Sequence, residues 1–237
     1  MGIFRFQQFS VSDDRCGMKV GTDAILLGAW CDVGDAARIL DIGTGSGVIA
    51  LMLAQRSSIT TRIDAIELQP VDAMQAKENV DSSPWSEKIT VITTRAQTHR
   101  PHHLYDLIVC NPPYFSRSLL PPRPDRRVVR HTETLPHDQL IESAIGLMTP
   151  SAKFSVILPT IQGLAFQKES AQRGLYLRRI TRFFSRPGKP QSRSLMTFQH
   201  VKNTVLEDSL YLYGPDRMRT EAYIRLTQDY YQEGKTV

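Results

Sequence analysis

Asn111-Pro112-Pro113-Tyr114 closes the apolar run Tyr105-Asp106-Leu107-Ile108-Val109-Cys110. A turn needed only to reverse the chain more often uses Gly, Asp or Ser. This one offers two acceptors, the Asn111 side-chain oxygen and the Pro112 carbonyl, on a backbone stiffened because proline fixes its own φ and restrains the residue before it. An exocyclic amine on adenine, or a side-chain amide, is a poor nucleophile because its lone pair is delocalised. Two fixed acceptors can bind its two hydrogens and leave the lone pair for in-line attack on an electrophilic methyl group. Tyr114 adds a flat face on which a base lifted out of its stack can lie. The same four residues can also simply end a strand, with Tyr114 and Phe115 as packing, so their meaning depends on what stands beside them.

Asp41-Ile42-Gly43-Thr44-Gly45-Ser46-Gly47 supplies that context. Gly43, Gly45 and Gly47 remove three Cβ atoms where a ligand must touch backbone and permit a tight strand-to-helix turn. Their G-x-G-x-G spacing after an acid differs from the G-x-G-x-x-G of a dinucleotide site and points away from a pyrophosphate. Asp41 would repel phosphate but could accept hydrogen bonds from an ammonium group. Glu67, followed by Leu68, closes the next strand at about the 20-residue distance at which an acid meets a ribose. A strand-end glutamate alone is usually a solvated terminus; behind a glycine loop, ribose binding is the better reading. An adenosine-bearing, phosphate-free, cationic cofactor is implied, and S-adenosyl-L-methionine meets all three conditions.

Bringing these residues together requires strands whose carboxyl ends share one edge. Apolar runs and helical patterns alternate: strand 38–42, helix 48–56, strand 63–68, helix 71–81, strands 88–93 and 105–110, helix 137–148 and strand 153–158. That rhythm predicts an α/β, doubly wound, mostly parallel Rossmann-like sheet, whose five strands here become seven with the edge hairpin that follows, and whose ligand crevice lies beyond the carboxyl ends. After 159 the rhythm changes to a helix over 161–172, an antiparallel edge hairpin from 175–184 and 194–201, a possible further strand over 205–213 and a closing helix over 219–231. With 237 residues, 41% of them hydrophobic, one core is affordable. We expect one domain over 1–237: an N-terminal segment and helix (1–37), a cofactor-binding core (38–159), and edge strands with a C-terminal helix (160–237).

No stretch is long and apolar enough to span a bilayer, so a cytoplasmic protein without a membrane partner is expected. Cys16, Cys31 and Cys110 are odd in number and widely spaced, which argues against a disulfide framework and a zinc knuckle. No metal is expected: His99, His102 and His103 read as a solvated loop. His131 follows an arginine-rich stretch where phosphate or cofactor contact is conceivable. The net charge of +5 hides two basic clusters. Arg117, Arg123, Arg126, Arg127 and Arg130 follow Tyr114, opposed only by Asp125; eight more cations between Lys168 and Arg193 include Arg178, Arg182 and Arg186. Any single cluster suits a solvated face, but two in one small domain suit a polyanion. Strand alternation places Arg178, Ile180 and Arg182 on one face.

The glycine loop, Glu67 and Asn111-Pro112-Pro113-Tyr114 resemble the class I S-adenosylmethionine-dependent amino-methyltransferases. R-C-G-M-K-V-G-T-D-A-I-L-L-G-A-W at 15–30, S-P-W-S-E-K-I at 83–89 and G-P-D-R-M-R-T-E-A-Y at 214–223 resemble, more narrowly, the bacterial tRNA(Val) adenine-N6 methyltransferase family. The resemblance covers nearly the whole chain. It implies N6-methylation of the anticodon-loop adenine beside the anticodon, with tRNA rather than DNA as partner, in a monomer. It also implies that the loop from Lys19 to Asp23 folds over the cofactor, with Thr22 near its methionine end, although Thr22 and Asp23 equally suit an N-cap for a helix over 24–30. Where this family tends to offer an acid to the cofactor's adenine, this sequence has Arg95, leaving backbone groups or Gln97 for that contact. Alternatives are methylation of ribosomal RNA, methylation of a protein glutamine amide, for which only 40 residues before Asp41 leave no room for the helical domain that such enzymes carry, and an RNA-binding protein with a vestigial cofactor fold.

Overall fold

The computed structural model describes residues 2–113 and 135–231. Tyr114, Phe115, Arg117, Arg123, Arg126, Arg127, Arg130 and His131 lie outside them. A short hairpin, β1 (Ile3–Arg5) and β2 (Ser10–Ser12), precedes α1 (Thr22–Trp30). The core follows as β3 (Arg38–Ile42), α2 (Val48–Arg56), β4 (Arg62–Glu67), α3 (Pro70–Asp81), β5 (Ile89–Thr93) and β6 (Tyr105–Cys110). Next come α4 (His137–Leu147), β7 (Met148–Pro159) and α5 (Thr160–Gln172). β8 (Tyr176–Phe184), β9 (Gln191–Gln199), β10 (Leu206–Tyr211) and α6 (Glu221–Thr227) complete the described elements.

The main sheet has the order β10-β8-β9-β7-β6-β3-β4-β5. Every adjacent pairing is parallel except the two made by β9, which runs against its neighbours β7 and β8. Strand alternation splits the core into two faces, as a sheet covered on both sides requires. Ile39, Leu107, Val109 and Ile157 pack with α1 and α2, while Leu40, Ile108, Cys110 and Val156 pack with α4 and α5. Among the described residues, no helix is long and apolar enough to cross a membrane.

Three sequence expectations change. The main sheet has eight strands rather than seven, because β10 pairs in parallel with β8 and covers the edge that the hairpin was expected to form. Glu207 and Asp208 on β10 meet Arg182 and Arg179 on β8 at 2.6 and 3.1 Å, so charge pairing across the strands accompanies the covering. β7 starts at Met148 rather than 153, since the register slip between Tyr105 and Leu107 absorbs Pro150 in a bulge where no ladder donor is required. Finally, Thr22 is the first helical residue of α1 and Gly21 its cap, without a side-chain capping bond; Asp23 instead pairs with Arg193 of β9 at 2.9 Å.

Candidate functional site

Register levels the strand ends that carry the chemistry. Ile42 of β3 stands opposite both Ile66 of β4 and Cys110 of β6, so Gly43, Glu67 and Asn111 all leave the sheet at one height. The chain order reverses at β3, with β4 on one side and β6 on the other, and a crevice opens there. It is a cavity of about 440 Å³ lined by Gly43, Gly45, Glu67, Leu68, Asn111 and Pro112. Asn111 is half-buried and Pro112 buried.

The glycine turn is held in place from β4. Gly43 and Thr44 N–H groups both donate to the Ile66 carbonyl, at 2.9 and 3.0 Å, and the Gly45 N–H donates to Glu67 Oε2 at 3.0 Å. Gly45 has φ +56, and a Cβ there would meet nothing within 4 Å, so the left-handed backbone and not crowding calls for glycine, and the residue lines the cavity. Gly47 serves differently. At φ +82 it caps α2, and a Cβ would lie in van der Waals contact with Ala76 of α3 at 3.4 Å, so the left-handed backbone behind the cavity is what calls for glycine.

Glu67 Oε1 also accepts from the Gln69 N–H at 2.9 Å, so each carboxylate oxygen is oriented by one backbone donor and keeps acceptor capacity for a hydroxyl pair. Burial raises its pKa against those two donors. Asp41 is sealed beneath the turn rather than open to the cavity: it is fully buried, and its Oδ2 accepts from the Thr44 hydroxyl at 2.6 Å. Burial pushes its pKa up to about 7, opposed by the Thr44 hydroxyl and the Ala50 N–H at the start of α2. Its Oδ1 has no partner of hydrogen-bonding geometry among the described residues. A direct contact between Asp41 and an ammonium group is therefore replaced by support of the turn from below.

The segment before α1 adds a wall through Met18, Lys19 and Val20, joined by Ala24 of α1, with Thr22 exposed beside them and not on the wall. Asp13 shapes it by accepting the Val20 N–H at 2.9 Å, while Lys19 Nζ donates to the Asp13 carbonyl at 2.6 Å. α3 anchors it with three acceptors one turn apart: Asp72 takes the Gly17 N–H at 3.3 Å, Gln75 takes Arg15 Nε at 3.0 Å, and Glu78 pairs with Arg15. Beyond β5, Arg95 and Gln97 line the cavity, and Gln97 Nε2 donates to Gln139 Oε1 of α4 at 2.8 Å. A second cavity of about 480 Å³ shares Ala96, Gln97 and Gln139, making this amide pair the partition between the two.

Sequence reasoning missed the α3 anchors, Asp13 and Gln139. The three acceptors on α3 did carry a signal, their three-residue spacing, but their partners lie 55 to 63 positions away. The histidine loop was also misjudged. His99 is buried and contacts the Tyr105 hydroxyl at 2.8 Å, which donates to Asp64 Oδ2 at 2.5 Å, with His103 at 3.2 Å from the same oxygen. Burial holds the His99 pKa down. Cys16, Cys31 and Cys110 are free and buried. Among the described residues, no group of His, Cys, Asp and Glu could hold a metal ion.

Arg182 keeps the predicted face of β8 with the core residue Ile180, but Arg178 falls in the register shift between Leu177 and Arg179, where strand alternation is broken, and both have intramolecular partners: Arg178 donates to the Thr204 carbonyl at 2.6 Å and Arg182 pairs with Glu207. Arg186 is exposed in the loop after β8.

A parallel sheet with one reversed strand, a glycine turn at the first strand end of the core and an acid at the second define a class I S-adenosylmethionine-dependent methyltransferase, and the open cradle at Gly45 beside Glu67 suits that cofactor. The family described as methyltransferase small domain matches residues 19–131. Proteins described as tRNA1(Val) (adenine(37)-N6)-methyltransferase from Cronobacter sakazakii and Erwinia tasmaniensis are 43% and 44% identical to it, each match covering 96% of this chain and 94% of the relative. The chain belongs to the tRNA1(Val) (adenine(37)-N6)-methyltransferase family. Among solved structures, one described as a predicted O-methyltransferase from Agrobacterium tumefaciens has a TM-score of 0.69 at 20% identity, over 91% of this chain and all of that one. A ribosomal protein L11 methylase from Lactobacillus delbrueckii subsp. bulgaricus has a TM-score of 0.51 at 14% identity, over 74% and 76%. At these identities the fold is what is shared.

Proposed function

We propose that this chain methylates N6 of an adenine in the anticodon loop of tRNA(Val), next to the anticodon, as a cytoplasmic monomer. The observation that carries this reading is that Asn111 and Pro112 share one cavity with Gly45 and Glu67, so acceptors for an amine face the place prepared for the cofactor. The relatives' printed activity supplies the substrate. S-adenosyl-L-methionine, when bound, supplies a sulfonium methyl group.

The Glu67 carboxylate accepts the ribose hydroxyls, and Gly43, Gly45 and Leu68 give backbone contact. Met18, Lys19 and Val20 cover the methionine end, while Asp41 and Gly47 hold the turn. The Asn111 oxygen and Pro112 carbonyl accept the two hydrogens of the adenine amine and turn its lone pair toward the methyl carbon; Tyr114 stacks on the extruded base. With the cofactor bound, these two acceptors would favour the positive charge that the amine nitrogen gains on taking the methyl group, and S-adenosylhomocysteine would leave with the C–S electron pair. The nitrogen then loses one proton to water, so no dedicated base is needed. Arg117, Arg123, Arg126, Arg127 and Arg130, with Arg186, contact RNA phosphates, while Arg178 and Arg182 stay engaged with the Thr204 carbonyl and Glu207.

Nucleoside mass spectrometry of tRNA from cells with and without this protein tests the reading. The expected result is N6-methyladenosine at the purine beside the anticodon, present with the gene and absent without it. Unchanged tRNA together with a change in ribosomal RNA would move the substrate elsewhere.

A further inference from the structure

The motif at 214–223 is not explained by the cofactor site, yet its loop stands on the same edge of the sheet. β8 and β10 run in the same direction as β6 and β7, so the loops that follow them, 185–190 and 212–220, leave the sheet on the side of Asn111. The two loops are joined: the Leu212 N–H donates to the Phe184 carbonyl at 2.9 Å and the Tyr213 N–H to the Ser185 carbonyl at 3.1 Å. The second loop is tightly built. Gly214 N–H donates to the Met218 carbonyl at 2.8 Å, Arg217 N–H to the Gly214 carbonyl at 3.1 Å, and Met218 N–H to Asp216 Oδ1 at 2.9 Å.

These bonds hold Arg217 at φ +65, the one positive φ found for a non-glycine among the described residues. Left-handed backbone at a residue with a Cβ is strained, and such strain concentrates where a side chain must be aimed. Arg217 is exposed and the neighbouring Met218 is 68% exposed. Arg219 stacks on Tyr223 and Tyr213, at 4.8 and 5.5 Å from their ring centroids, and buttresses the loop from behind.

The charge here is arranged unlike that on the strands. Arg179 and Arg182 of β8 are paired with Asp208 and Glu207. Arg186, Lys189 and Arg217 are exposed, and none forms an ion pair with a described residue. The two loops carry Arg186, Lys189, Arg217 and Arg219 against the single acid Asp216, whose carboxylate is turned to its own backbone. From β6 to β10 there are four strand steps of about 4.8 Å, placing this patch roughly 19 Å along the edge from Asn111.

We infer that loops 185–190 and 212–220 together form a phosphodiester-binding platform, which grips the RNA away from the reacting adenine and sets its orientation. The inference rests on the RNA reading above and adds the surface. Unpaired cations on a stiff loop suit phosphates, which position a nucleic acid without reading its sequence. At this distance they meet nucleotides other than the extruded one.

The test uses full-length protein carrying Arg186→Ala, Lys189→Ala and Arg217→Gly together; glycine keeps the left-handed backbone. A control carries Arg5→Gln, Lys77→Gln and Arg225→Gln, outside both loops. Anisotropy of labelled tRNA across salt, calorimetry with S-adenosylhomocysteine, and steady-state methyl transfer are measured for each. The platform variant should lower the log–log salt slope by about 2–3, at 0.7–0.9 for each lost phosphate contact. Its KM for tRNA should rise at least tenfold more than the control's, with kcat and S-adenosylhomocysteine affinity within twofold of wild type. If wild type methylates tRNA and the platform variant matches the control in slope and KM, the platform is wrong and the functional reading stands, as it also would if the loops instead bound a protein. If wild type neither binds nor methylates any tRNA, both fall.

Discussion

Glu67 orients the glycine turn and still faces the cavity, because its two oxygens each take one backbone donor, at Gly45 and Gln69. Replacing it with Ala removes a charge-assisted contact to the ligand, and about 1.5–3 kcal/mol of binding, or one to two decades in Kd for S-adenosylhomocysteine, should be lost. Calorimetry that shows unchanged affinity would refute ribose binding here. Asn111 is proposed to act on the other partner. Asn111→Ala should abolish methyl transfer while leaving S-adenosylhomocysteine affinity within a few-fold, and near-normal turnover would sink the proposed mechanism. Asp41 gives a pH signature. Its folded pKa of about 7 stands above the ~3.9 of an unfolded aspartate, so its contribution to stability is complete below the lower value and lost as pH rises through the upper one. The Tm of Asp41→Asn minus that of wild type should therefore grow between pH 5 and pH 8. A constant gap would mean that Asp41 ionises normally.

At the scale of elements, what was legible depended on how local the cause was. The bounds of β3, α2 and β6 match the sequence reading because apolar spacing within each segment and a nearby glycine or proline, Gly43 after β3, Gly47 before α2 and Pro112 beyond β6, are all local. The pairing of β10 with β8 was not legible, since it depends on registering two strands separated by β9. The three-residue strands β1 and β2 carry too little pattern to announce themselves; Phe6 and Phe9, stacked at 4.3 Å, and the bond from Gln7 N–H to the Tyr230 carbonyl at 2.9 Å fix them from across the chain. The glycine turn was legible as a ligand cradle, but the separate duty of Gly47 was not. Gly47→Ala forces a Cβ into left-handed backbone, costing about 1–2 kcal/mol, and brings it to 3.4 Å from Ala76. A Tm lowered by roughly 2–8 °C is expected for a chain of this size. An unchanged Tm would show that the left-handed backbone at Gly47 relaxes freely.

For the whole molecule, the distribution of charge relative to the crevice distinguishes the candidate substrates. A peptide glutamine presents an amide of similar shape to the adenine amine, so the acceptors at Asn111 and Pro112 alone discriminate poorly between them. The difference must come from the polyanion around the adenine. Duplex DNA has the phosphates but keeps its adenines paired and stacked, and extrusion costs a few kcal/mol that an unpaired loop adenine largely avoids. Methyl transfer to folded tRNA, to duplex DNA and to a glutamine peptide, compared at equal salt, should therefore rank tRNA far above the other two. Transfer to tRNA at subsaturating concentration should fall steeply between 50 and 200 mM salt, as phosphate contacts require, whereas any residual transfer to the peptide should be nearly insensitive to salt. If the peptide is methylated and tRNA is not, the RNA assignment fails even though the cofactor chemistry of Glu67, Asn111 and the glycine turn survives.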